Sequence, residues 1–153
     1  MKNFALRPLT LADYDEAYAL WQRTEGMGLG ASDTREAIAF FLDRNPGLSL
    51  VACDATGRLI GTVLCGHDGR RGYLHHLAVE KTSRKQGIGR ALVDACLNRL
   101  AALKIAKCNL FIFADNTEGR TFWTHQGWTT REDIVLVQTE INPERKKICG
   151  CDC

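Results

Sequence analysis

Apolar positions along this chain change period twice. In "TLADYDEAYALWQRT", Leu11, Tyr14, Tyr18 and Trp21 recur at helical spacing. Thr10, followed three residues later by Asp13, has the form of a capping box with an acid shorter than the usual Glu. The glycines of "EGMGLGAS" break that helix. "DTREAIAFFLDR" predicts a second helix that starts near Ser32 or Asp33. It must stop around Asn45, because Pro46 disfavours helical backbone at the residue before it. Upstream, "NFALRPL" reads as a short first strand.

Past Pro46 the period shortens. "LSLVACD", "RLIGTVLCGH" and "GYLHHLAV" are strand-length runs joined by the turn-like "ATG" and "DGRRG", which predicts an antiparallel meander. The helical period returns in "SRKQGIGRALVDACLNRL", where Ile88, Leu92, Ala95 or Cys96, and Leu100 share a face. "CNLFIF" predicts a buried strand, and "TEGRTFWTHQG" a short helix ended by Gly127. "DIVLVQTEI" predicts a closing strand. The order is β-α-α-β-β-β-α-β-α-β. The strands either side of the long helix form a βαβ unit, which should be parallel and right-handed. One mixed α/β layer domain over residues 1–141 accounts for the pattern, with residues 142–153 as a cysteine-containing tail.

Composition narrows the class. A chain of 153 residues suits one domain with one core. A net charge of +2 gives no case for nucleic acid, and the longest apolar runs are too short to span a bilayer. "MKNFALRPLTLADYDE" turns acidic before any apolar run forms, so it is no signal peptide and the expected compartment is the cytoplasm. Of the seven cysteines, Cys53, Cys65, Cys96 and Cys108 lie in apolar stretches and read as free thiols in the core. Cys149, Cys151 and Cys153 form the terminal "CGCDC". A closed zinc site takes four ligands and no CxxC pair completes this one, so no metal is expected and the tail reads as a frayed end. The sequence is silent on oligomeric state and leaves room for a homodimer.

Gly87 and Gly89 open the best-patterned helix behind Arg84 and Lys85, although glycine costs about 1 kcal/mol against alanine in a helix. A helix start leaves four backbone N–H groups unpaired and carries the positive end of the dipole. Without nearby Cβ atoms an anion can approach those donors closely, and Arg84, Lys85 and Arg90 add to the potential. A pyrophosphate is the anion that fits best. Arg90 and Ala91 follow Gly89 where a P-loop needs Lys and Ser or Thr, and the GxGxxG fingerprint is absent. From the two glycines alone, the stretch reads equally as a helix start with a loose loop and solvated charges.

"LAVEKTSRKQGIGRALV" resembles the cofactor motif of the GNAT family, the Gcn5-related N-acetyltransferases. Its pattern (Arg/Gln)-x-x-Gly-x-(Gly/Ala) falls on Arg84, Gly87 and Gly89. "NLFIFADNTEGRTFWTHQGW" resembles the same family's strand, Asn, and helix with an aromatic pair and Gly-aromatic ending. The element order agrees, and the resemblance covers roughly residues 3 to 141. It implies a single-domain GNAT-like fold: a mixed, mostly antiparallel sheet with a central splayed parallel strand pair flanked by helices. It implies acetyl-coenzyme A as cosubstrate, held in the splay. The backbone of Leu77, Ala78 and Val79 would pair with the pantetheine arm. The amides of Lys85, Gln86, Gly87, Ile88, Gly89 and Arg90 would hold the pyrophosphate behind Arg84, and Asn116 and Trp123 would face the cofactor.

The implied chemistry is attack by a primary amine on the thioester in a ternary complex. A free alkyl amine has a pKa of about 10.4 and must first lose a proton. "YLHHLAV" looks like the "HLHALAV" of the serotonin-type arylalkylamine acetyltransferases, with Tyr73 and His75 on that family's two strand histidines. Strand alternation puts Tyr73, His75, Leu77 and Val79 on one face, and Leu74, His76 and Ala78 on the other. His75 is therefore the expected base or water relay, with His76 packed against a helix behind the sheet. Many family members carry Phe-Tyr on the last helix, and that Tyr protonates the leaving thiolate. Phe122-Trp123 stands here, and an indole is no proton source at neutral pH. Tyr73 or His125 would assist, or the thiolate leaves unaided. Glu80 reads as solvated loop surface. The missing Tyr also suits an alternative, a module that binds acyl-coenzyme A without transferring the group. By resemblance "RTEGMGLGAS" is the loop on the acceptor side, where Trp21, Met27 and Phe41 would offer apolar contact; residues of this kind are more often core.

Overall fold

A computed structural model of the chain describes residues 2–141. Five strands form one sheet in the order β1-β2-β3-β4-β5: β1 Phe4–Pro8, β2 Leu50–Asp54, β3 Leu59–His67, β4 Gly72–Val79 and β5 Cys108–Leu110. The first three pairings are antiparallel and β4–β5 is parallel. The helices are α1 Tyr14–Gln22, α2 Arg35–Arg44, α3 Ile88–Ala102 and α4 Thr117–His125. The mixed sheet with its parallel pair is the expected α/β architecture.

Local chemistry explains the boundaries. Asp13 accepts from the Thr10 backbone N–H at 2.9 Å and from both Arg7 nitrogens at 2.8 Å, which ties the first helical turn to β1. The second helix starts one residue later than its pattern suggests. Thr34 is its N-cap and accepts from the Ala37 N–H, while Ala31–Asp33 forms a separate 3-10 turn. Gly127, with φ of +84°, follows the end of α4.

Each sheet face carries its own core. On one, Leu50, Ala52, Val63, Cys65 and Leu74 pack against Ile88, Leu92, Val93, Cys96 and Leu100 of α3. On the other, Val51, Leu64 and Ala78 pack against Leu20 and Trp21 of α1 and Ile38 of α2. Burying each large apolar side chain stabilises the fold by roughly 1.5–3 kcal/mol. Cys53, Cys65 and Cys96 are buried free thiols, as their apolar settings imply, and Cys108 is half-buried.

Three expectations fail. "DIVLVQTEI" forms no strand, and Ile134, Val135, Leu136 and Val137 are exposed. "CNLFIF" keeps only three strand residues, with Phe111 and Phe113 exposed rather than buried. A strand gains its stability from its ladders and a covered face, and among the described residues β5 finds a partner only in β4. The third failure is the face count on β4. Thr62 pairs with Ala78 and Leu64 with His75, so two steps along β3 match three along β4. His76 takes up the extra residue in a left-handed conformation, φ +50°. Beyond that bulge every side chain changes face. The "CGCDC" tail lies outside the described residues. Among the described residues no helix is long and apolar enough to cross a membrane.

Candidate active site

The bulge decides which β4 side chains meet. His75 faces α2, edge-on to Phe41 at 6.0 Å between ring centres. His76 faces α1, where the Trp21 ring lies 4.7 Å away. Leu77 and Val79 pack instead on the α3 side with Leu74. Both histidines thus share the α1–α2 face, which strict alternation forbids. His76 does pack against a helix, but on the same side of the sheet as His75.

His75 and Tyr73 stack with ring centres 6.4 Å apart, and Tyr73 stacks in turn on Phe111 at 6.2 Å. Tyr73 and His75 line a hollow of about 180 Å³ with Phe41, Arg44, His67 and Asp68. Burial pushes the His75 imidazole below its ordinary pKa, and the neighbouring His76 lowers it further, against an opposing pull from Asp33. At neutral pH His75 is therefore unprotonated and able to accept a proton.

Next to this hollow the sheet opens. The β4–β5 ladder runs only over Gly72–Leu74 and Cys108–Leu110, so from His75 onward β4 has no strand partner on that side among the described residues. The chain then turns through the 3-10 segment Lys81–Ser83 into α3. Lys85 and Gly87 are both left-handed, φ +62° and +79°. A Cβ on Gly87 would meet nothing within 4 Å, so the helix start is open to an incoming group. Gly89 has a different purpose: its Cβ would lie 3.3 Å from the Phe122 ring, so it lets α4 close on α3. Ile88 offers only its backbone, since its side chain is in the core.

Arg84 is committed on two sides. Its Nε donates to the Val79 carbonyl at 3.1 Å and its Nη2 to Glu25 at 3.1 Å. Asn116 caps α4, accepting from the Gly119 N–H at 3.0 Å, and its amide abuts Gly26, where a Cβ would come within 2.6 Å. The Gly-rich connection between α1 and α2 therefore crosses from Arg84 to Asn116 and on to Phe113, which it meets at Gly28. Trp123 packs against the α3-side core and stands edge-on to Trp128 at 4.8 Å, away from the Tyr73–His75 pair.

Sequence reasoning placed several residues wrongly or missed them. Glu80 is buried, not solvated: it pairs with Arg23 and Arg58, and the Arg23 guanidinium above all holds its carboxyl below the usual range. Trp21 takes the second of the two readings its sequence leaves open: it is a core residue whose indole N–H donates to Thr62 Oγ1 at 2.9 Å, rather than an acceptor contact. Asp33 is legible in the sequence only as a helix start. One residue before a Thr N-cap, it carries no sequence signal beyond helix initiation, yet it meets His76 Nε2 at 2.5 Å.

The sequence matches the acetyltransferase (GNAT) family over residues 14–128. An acetyltransferase of Sodalis glossinidius is 28% identical over 82% of this chain and 87% of its own length. One of Photorhabdus laumondii is 34% identical over 68% of this chain and 71% of its own. Among solved structures, Ard1 of Thermoplasma volcanium superposes with a TM-score of 0.73 at 21% identity, covering 83% of each chain. The PaiA N-acetyltransferase of Thermoplasma acidophilum, solved in complex with coenzyme A, gives 0.72 at 18% identity over 84% of this chain and 91% of that one. With the splayed strand pair and the open glycine turn in place, the chain belongs to the acetyltransferase (GNAT) family and is an acyltransferase.

Proposed function

We propose that the protein transfers the acetyl group of acetyl-coenzyme A to a primary amine, by direct attack in a ternary complex. The observation that carries this is the gap beside β4, which runs from the Tyr73–His75 hollow to an open, left-handed glycine turn at the start of α3. The residues suit the cosubstrate. On the side away from β3, Leu77, Ala78 and Val79 have no strand partner among the described residues and would offer an edge to an amide-bearing arm, with the Val79 carbonyl already engaged by Arg84. The first-turn N–H groups of α3, with those of Lys85, Gln86 and Gly87, would hold the pyrophosphate, helped by Arg84 and Arg90. Asn116 and Trp123 would border the arm from α4.

Acetyl-coenzyme A supplies an activated acyl carbonyl. The chain's own residues do the rest. His75, neutral at working pH, accepts the proton of the amine directly or through water. A backbone N–H of the bulged edge donates to the oxygen that gains charge. Tyr73, which stacks on His75, would give a proton to the leaving thiolate, a task closed to Trp123. The buried free thiols of Cys53, Cys65 and Cys96 support a reducing, cytoplasmic setting.

Incubation with acetyl-coenzyme A and a panel of peptides, polyamines and arylalkylamines, with free thiol as readout, tests this. Amine-dependent thiol release is expected. No release across the panel overturns it.

A further inference from the structure

The bulge that gathers both histidines is held from several sides. Asp33 Oδ1 accepts from His76 Nε2 at 2.5 Å. Trp21 covers the His76 ring and donates to Thr62 Oγ1, and Thr62 donates to the His76 carbonyl at 3.1 Å. Asp33 is itself fastened: its Oδ2 accepts from the Gly30 N–H at 2.8 Å, and its carbonyl accepts from the Tyr14 hydroxyl at 2.6 Å. A left-handed non-glycine residue costs roughly 1–3 kcal/mol and persists only where its surroundings over-determine it. Here three elements around β4 do so: α1, the turn before α2, and β3.

We propose that the Asp33–His76 pair is the positioning unit of the site: it fixes the bulge that brings His76 onto the His75 face of the sheet and balances the charge that His75 meets. This rests on the acetyltransferase reading, since it names what governs the base of that same site. The charged and titratable groups around His75 are few. His76 and Tyr73 come from β4, Asp33 from the turn before α2, Arg44 from α2, and His67 and Asp68 from the far end of β3 and its turn. The Asp68 carboxylate is already turned onto the Arg70 and Arg71 N–H groups. Of these groups, His76 and Asp33 are the two that act on the charge of His75, and they act in opposite directions: a proton on His76 would disfavour one on His75, and the Asp33 carboxylate favours it.

Imidazole NMR titration of the intact protein tests the pair, comparing wild type with His76→Gln and Asp33→Asn. Removing the His76 ring leaves the Asp33 carboxylate unbalanced and moves the His75 midpoint to higher pH. Removing the Asp33 charge moves it to lower pH. His76→Asn, which tolerates left-handed backbone, repeats the direction of His76→Gln with less strain. The acid limb of kcat/KM moves with each midpoint. Midpoints that stay put in both variants, or move the same way, overturn the proposal. So does a fall in kcat/KM with an unchanged pH profile, the signature of a merely structural role. The NMR arm needs no turnover. Opposite midpoint shifts in a protein that releases no thiol with any amine would uphold the pair's action on His75 and sink the acetyltransferase reading alone.

Discussion

Arg84 and Glu25 are joined across the mouth of the gap, guanidinium to carboxylate at 3.1 Å, although they lie 59 residues apart. The pair links the connection after α1 to the turn that precedes α3. Glu25 thereby occupies a cation that an incoming diphosphate would use. Both side chains reach solvent, 36% and 66% exposed, so the contact is weak and exchangeable. Glu25→Gln should tighten coenzyme A binding several-fold at low salt, and calorimetry at two ionic strengths checks it. Equal or weaker binding would show that the carboxylate does not compete.

Gly87 permits a sharper test of the same turn. Its φ of +79° penalises any side chain with a Cβ, and the space beside it is empty. Gly87→Glu adds both the strain and a like charge, and should abolish coenzyme A binding. Gly87→Asn, which tolerates the left-handed conformation, should keep most of it. A chain that binds equally well with Glu there holds its cosubstrate elsewhere.

Activity should depend on His75 in a pH-specific way. Its folded pKa is depressed by burial first and by His76 second, so the neutral form persists below the ordinary value of about 6.5. The acid limb of kcat/KM should therefore fall below that value. Wild type should lose activity only as pH drops through the folded midpoint. His75→Gln should lower kcat by about 10²-fold or more and remove that limb, with little change in coenzyme A affinity. Retention of the limb would move the base to another residue.

Stability should show the Trp21–Thr62–His76 connection. Trp21→Phe deletes the donor to Thr62 in a buried setting and should cost about 1–3 kcal/mol by denaturant melt, beyond the effect of the smaller ring. An unchanged midpoint would mean that the indole N–H is incidental.

Glu80 gives a pH signature of the opposite kind. Its folded pKa is lowered, so its pairing with Arg23 stabilises the fold above the ordinary carboxyl range. That stability is lost as pH falls through the lower folded value. Arg23→Ala should reduce stability at pH 7 and flatten the acid dependence, as urea melts between pH 3 and pH 7 would show. A parallel downward shift at all pH values would exclude the ion pair as the cause.

The sequence by itself determined the elements and their order as far as α4, the antiparallel meander, the parallel crossover and the glycine turn before α3. Each of these follows from local rules, namely apolar period, capping and backbone freedom, which act over a few residues. Only the tertiary structure decided the direction of the β4 side chains. A bulge depends on how β3 and β4 pair, and one inserted residue reverses every face beyond it, so a face count along the strand alone put Leu77 and Val79 with His75. Asp33 and His76, 43 residues apart, meet because α1 and α2 fold back over the sheet. Nothing in either stretch records that encounter. "DIVLVQTEI" marks the same limit from the other side: strand propensity is local, but a strand exists only where a neighbouring edge accepts its hydrogen bonds.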